Sequence, residues 1–160
     1  MKRFLYAILA LSLLSLPACR AKTYRNDLSP RSLALLGAES IGIAEPQFAD
    51  SDALAEITGV SDETPDITVC YSADGNSLDE FGIWRTDRDS VKTVAPLLRT
   101  YLETTYQNNR AYYDSYIPTE TPKLRDAEIR IYGSYVVYAV LSPESRDRFF
   151  RAVEAELSEA

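Results

Sequence analysis

The run Val136-Val137-Tyr138-Ala139-Val140-Leu141 is apolar in both of its alternating phases. A strand turns successive side chains to opposite faces, so such a run has no face to give to water and belongs at the centre of a sheet. Two residues, Gly133-Ser134, separate Tyr135 to Leu141 from another strand-like run at Ala127 to Ile131, which is the spacing of a tight hairpin. Nothing but a hydrophobic core is available to hold such a sheet together. The chain of 160 residues has two cysteines, Cys19 and Cys70, and 46% of its residues are hydrophobic. That suits one globular domain rather than a disulfide scaffold.

The remaining elements follow from periodicity. Ile67, Val69 and Tyr71 alternate with Thr68 and Cys70, and Phe81 and Ile83 alternate with Gly82 and Trp84, which predicts a second hairpin with Trp84 half-buried. Val91, Val94, Leu98, Tyr101 and Leu102 recur at helical spacing in a helix from about Arg88 to Tyr113, with Asp87 as its cap. Pro96 argues for a kink there or for a regular part starting near Ala95. Ser142 and Pro143 open a last helix whose inward stripe is Phe149, Phe150, Val153 and Leu157. Strand, strand, helix, twice over (ββαββα), predicts an α+β fold: an antiparallel four-stranded sheet with two helices on one face. A short helix over Asp50 to Gly59 precedes it, and Ser32 to Leu36 can start another.

The N-terminus sets the compartment. Lys2 and Arg3 precede an uncharged run from Phe4 to Leu16, too short for a membrane span and ended by Pro17. Leu16-Pro17-Ala18-Cys19 looks like the lipobox of bacterial lipoproteins, in which cleavage falls between Ala18 and Cys19 and the Cys19 sulfur takes a diacylglyceryl group. The other reading is an ordinary signal peptide with a chance cysteine. The expected organisation is a signal peptide over 1–18, a lipid-anchored tether over 19–31, and a single α+β domain over 32–160 with its core at 67–157. The expected location is the extracytoplasmic face of the cell membrane. Cleavage would leave 15 basic and 24 acidic residues, net −9, which argues against a nucleic-acid partner. Arg20, Lys22 and Arg25 beside the anchor suit an anionic leaflet. With Cys19 on lipid, Cys70 is a lone thiol in a strand, read as buried structure.

These residues carry a resemblance. Asp52 to Gly59, Asp79-Glu80-Phe81-Gly82-Ile83-Trp84, Tyr116-Ile117-Pro118, Lys123-Leu124-Arg125-Asp126-Ala127 and Tyr132-Gly133-Ser134-Tyr135-Val136-Val137 resemble the small bacterial lipoproteins catalogued as domain of unknown function 4358, over roughly residues 40 to 157. The resemblance implies an extracytoplasmic lipoprotein of Gram-positive type and brings no active site. It further implies a role near surface-polysaccharide O-acetylation, through membrane-bound acyltransferases that accompany such proteins.

No chemistry stands out. The chain has no histidine, which excludes a Ser-His-Asp triad, a Cys-His dyad, His-ligated zinc and a histidine pH switch. Asp74 to Glu80 gathers oxygen ligands but lacks the EF-hand order, so a hairpin turn is expected and no metal or other cofactor beyond the Cys19 lipid. Asp87/Asp89 and Glu154/Glu156 read as solvated pairs rather than acid and base. The oddity is tyrosine: 11 in all, five of them between Tyr101 and Tyr116. Such rings suit a small core, or a face for sugars or proteins, and Tyr112, Tyr113 and Tyr116 are the candidate binding face. The function expected is therefore a non-enzymatic, membrane-anchored interaction module in envelope assembly with a membrane-protein partner. The alternative is a binding module for wall glycan or a small solute.

Overall fold

The computed structural model describes residues 22–43, 45–49, 59 and 66–158. The signal segment, Ala18, Cys19 and all of the helix expected over 50–59 except Gly59 lie outside them. The described elements are α1 (Pro30–Ile41), β1 (Gln47–Phe48), β2 (Ile67–Tyr71), β3 (Glu80–Arg85), α2 (Val91–Tyr116), α3 (Thr121–Arg125), β4 (Glu128–Tyr132), β5 (Tyr135–Val140) and α4 (Pro143–Leu157). The class is α+β, with one antiparallel sheet in the order β1-β2-β3-β5-β4.

Both expected hairpins form. β2 pairs with β3 from Ile67 opposite Trp84 to Tyr71 opposite Glu80, and β4 pairs with β5 across a turn that sets Tyr132 opposite Tyr135. Gly133 takes φ +61° at the first turn position, which a side chain resists and a two-residue hairpin of this type demands. β5 lies between β3 and β4, and every one of its residues is buried.

Four expectations need correction. The sheet has five strands rather than four, because Gln47 and Phe48 add a two-residue edge beside Tyr71 and Cys70. That strand is too short to show alternation. Arg31 stacks its guanidinium 3.2 Å from the centre of the Phe48 ring, tying the edge to α1. The helices cover both faces rather than one. Tyr135, Val137, Ala139, Phe81, Ile83 and Cys70 face α1 and α4, which add Leu33, Ala34, Phe149, Phe150, Val153 and Leu157. Val136, Tyr138, Val140, Ile67, Val69 and Trp84 face α2 and α3, which add Val91, Val94, Leu98, Leu102 and Leu124. A β5 apolar on both sides requires this, since a bare face would leave several large side chains in water at about 1.5–3 kcal/mol each. Trp84 is accordingly buried rather than half-buried.

The third correction concerns the tether. α1 begins at Pro30, capped by Ser29, whose Oγ accepts from Ser32 N at 3.1 Å. Residues 22–29, read as part of the tether over 19–31, form a strap on the domain. Tyr24 bridges to Ser158, Arg25 N donates to the Leu157 carbonyl at 2.9 Å, and Tyr135 Oη donates to the Leu28 carbonyl at 2.8 Å. Their lack of apolar periodicity concealed this, because backbone groups and single side chains such as Tyr24 and Leu28, rather than a periodic stripe, make the contacts. The Ser142 cap matches: its Oγ accepts from Ser145 N at the start of α4. The Asp87 cap does not: α2 starts at Val91 with Ser90 in the cap position and no side-chain cap bond. Asp87 instead closes the preceding turn by accepting from Asp89 N and Ser90 N, and the helix runs to Tyr116 rather than Tyr113 with Pro96 inside it.

Candidate functional site

Val91, Val94, Leu98 and Leu102 form the buried stripe of α2, at three- and four-residue spacing. The same spacing continues through Thr105, Asn109, Tyr112 and Tyr116, yet Thr105 is only half-buried and the last three are exposed. The sheet is shorter than the helix. Tyr101 already reaches Glu80 at one end of β3, so the turns beyond it carry the core-facing stripe past its support. Tyr112 is 56% exposed and Tyr116 73%, with ring centres 4.9 Å apart and planes tilted by 31°. Tyr113 turns inward onto the second core, its ring edge-on to Tyr112 at 5.9 Å. The three predicted tyrosines are thus neighbours, two outward and one bracing them. Residues 105–116 add Gln107, two asparagines, Ser115 and one opposed pair, Arg110 and Asp114, at 3.4 Å. Tyrosine, asparagine and serine with a single arginine make a composition suited to adaptable protein recognition.

Two polar arrangements hold this end in place. Lys123 Nζ donates to Asp79 Oδ1 at 2.7 Å and to Glu120 Oε2 at 2.6 Å, while Leu78 N donates to Glu120 Oε2 at 3.0 Å. The chain after α2 is thereby clamped to the chain before β3. Burial disfavours the Lys123 charge, but its two carboxylate partners outweigh that and hold its pKa above the ordinary value. Beneath the helix, Tyr138 Oη donates to Glu80 Oε1 at 2.6 Å and Tyr101 Oη donates to the same oxygen at 3.2 Å. Burial pushes the Glu80 carboxyl up, against the pull of both hydroxyls. Burial, then the Glu80 charge, pushes Tyr138, Tyr101 and Tyr113 up as well. Gly82 makes room for this: a Cβ there would overlap the Tyr138 ring that crosses it.

Residues 40–141 match the model of the family described as Domain of unknown function (DUF4358). The chain belongs to that family. The match runs from the end of α1 through β5, so it takes in the Glu80 network, the Lys123 clamp and the tyrosine end. No curated protein and no solved structure matches the chain.

Glu80 and Lys123 carry the site and were not singled out as functional in the sequence. The signal for Glu80 was present, since alternation in β3 puts it on the face of Gly82 and Trp84. It becomes a buried carboxylate only when a helix covers that face. Internal donors already engage both Glu80 oxygens and Glu120 Oε2. Asp87 is engaged as an acceptor near α2, and Glu154 pairs with Lys22 at 2.5 Å. Asp74 accepts from Asn76 N at 2.9 Å within the expected turn. Among the described residues no three or more acidic or cysteine side chains group to hold a metal ion, and no helix is long and apolar enough to cross a membrane.

Proposed function

We propose that this chain is a lipid-anchored extracytoplasmic module of the cell envelope, without catalysis of its own, that presents the tyrosine end of α2 to a protein partner. The observation that carries the reading is the exposed Tyr112 and Tyr116 pair on the continuation of a core stripe. A helix face that outruns its sheet and sets two large exposed rings among polar side chains is a surface suited to a partner. Large rigid rings with polar tips are the side chains that anchor protein interfaces at low entropic cost. The anchor rests on Cys19 and the lipobox around it. A glycan site would instead be favoured by a cleft walled with these rings, but the pair projects from a convex helix. Four clefts among the described residues, at Tyr24–Ser134, Leu35–Pro46, Gln47–Glu80 and Arg99–Ile129, are lined by other side chains.

The test is a photo-crosslinking residue at Tyr112 in native membranes, with mass analysis of what is captured. A defined extracytoplasmic protein, lost on Tyr116→Ala, is the expected result. Capture of glycan, or of nothing while the purified domain binds a sugar, overturns it. Labelled fatty acid that persists on Cys19→Ser overturns the anchor. Because the two rings are exposed, Tyr112→Ala with Tyr116→Ala should change stability by less than about 0.5 kcal/mol in urea while abolishing capture.

A further inference from the structure

The docked strap leaves little free chain between the anchor and the body. Lys22 is held to Glu154 at 2.5 Å, Tyr24 Oη donates to the same carboxylate at 3.2 Å, and Arg85 reaches the Asn26 and Leu28 carbonyls at 3.4 Å each. Cys19 lies three residues before Lys22, a reach of at most about 11 Å even when fully extended. Whatever holds Cys19 is therefore close to the end of the domain that bears the strap. Tyr24, Asn26, Arg85, Asp87, Arg88 and Ser134 line an open cleft of about 480 Å³ at that end. α2 starts beside the cleft and extends 26 residues, about 39 Å at the usual rise, to Tyr116.

We infer that the bilayer carrying the Cys19 lipid docks against the end formed by the strap, the β4–β5 turn and the start of α2. The chain stands on the membrane with its tyrosine end roughly 40 Å out. This deepens the proposed function and rests on its lipidated Cys19. It narrows the partner of the tyrosine end to the extramembrane part of a protein, out of reach of a transmembrane segment. Tether length sets the orientation. Three of the cations at this end, Arg25, Arg85 and Lys22, are paired with Asp27, Asp66 and Glu154, while Arg88 and Lys92 at the start of α2 are exposed and add attraction to an anionic leaflet. The acidic balance of the mature chain, net −9, acts in the same direction by repelling the rest of the domain from an anionic leaflet.

The experiment uses the lipidated full mature chain in phosphatidylcholine–phosphatidylglycerol vesicles that contain a nitroxide-headgroup lipid as a short-range quencher. A fluorophore is placed through Arg88→Cys or Asn108→Cys, both exposed positions, on chains whose N-terminal acyl mass is verified. The two sites are about 30 Å apart along the helix direction. The label at 88 should be quenched several-fold more than the label at 108, and a long Gly-Ser insertion between Cys19 and Lys22 should erase the difference. Equal or reversed quenching with the acyl group present overturns the orientation alone. A difference that survives the insertion overturns tether length as its cause. Absence of the acyl group on the mature chain overturns both this inference and the anchor it rests on.

Discussion

Gly82→Ala probes the glycine position where an added Cβ meets the least room among the described glycines. The new Cβ would overlap the Tyr138 ring, which is fully buried between β5 and α2 and hydrogen-bonded to Glu80 at 2.6 Å. Forcing the ring aside costs about 1–3 kcal/mol as overpacking. Weakening the bond to the Glu80 carboxyl adds about 1.5–3 kcal/mol. Loss of glycine's backbone freedom returns about 0.5–1 kcal/mol. The net is about 3 kcal/mol of destabilisation, which at a urea slope of about 1.5–2 kcal/mol/M lowers the midpoint by roughly 1.5–2 M. Trp84, the single tryptophan, is buried beside this face and reports unfolding by fluorescence. Gly75→Ala is the control, because its Cβ meets nothing within 4 Å. In a Tyr138→Leu background the ring is gone and Gly82→Ala should cost close to nothing, a coupling that a double-mutant cycle reads directly. An equal cost in both backgrounds, or a cost no larger than that of Gly75→Ala, would refute the reasoning.

Other outcomes follow from the same contacts. Glu80 has a folded pKa raised by burial, so its contribution to stability is complete below about pH 4.5 and is lost as pH rises through the folded value. Glu80→Gln should flatten the decline above pH 4.5 in urea titrations; identical slopes in the two proteins would contradict this. Asp27, pulled down to about 2 by Arg25, and Glu120, held down by Lys123 and backbone donors, act oppositely, and their stabilisation is lost only as pH falls below the ordinary carboxylate range. Lys123→Met leaves Asp79 and Glu120 without their shared cation and should cost about 2–3 kcal/mol, with protease cleavage between 117 and 126 as the first sign. The Cys70 thiol, pushed up to about 11 by burial, should resist maleimide at neutral pH in the folded chain and react at once in urea. Rapid native labelling would show that this strand is open.

What the sequence made legible was whatever depends on local pattern. The two-phase apolar run of β5, the Gly133-Ser134 turn, the Ser142-Pro143 cap and the Phe149 to Leu157 stripe each encode their own structure. Which face a helix covers is not encoded that way. The stripe of α2 is equally apolar against either side of the sheet, and only the filling of the other side by α1 and α4 decides it. Glu80 was hidden for the same reason, as was the division of the tyrosines: Tyr113 faces the core and Tyr116 faces water because the sheet ends beneath them. The docking of residues 22–29 rests on partners as distant in sequence as Arg85, Tyr135, Glu154, Leu157 and Ser158, which no short window of sequence contains.

That last pairing imposes an order on events. The strap is the first described segment of the chain to be synthesised, and its partners, the Leu157 carbonyl and Ser158, are the last. A chain that emerges N-terminus first can pair β2 with β3 and β4 with β5 as each hairpin arrives, and can offer Arg85 and Tyr135 to the Asn26 and Leu28 carbonyls, while the backbone pairing of Tyr24 and Arg25 waits until α4 is complete. The segment that joins body to anchor therefore gains its full set of contacts only in the finished molecule. A truncation that removes Leu157 and Ser158 would leave it held only by side chains such as Glu154, Arg85 and Tyr135.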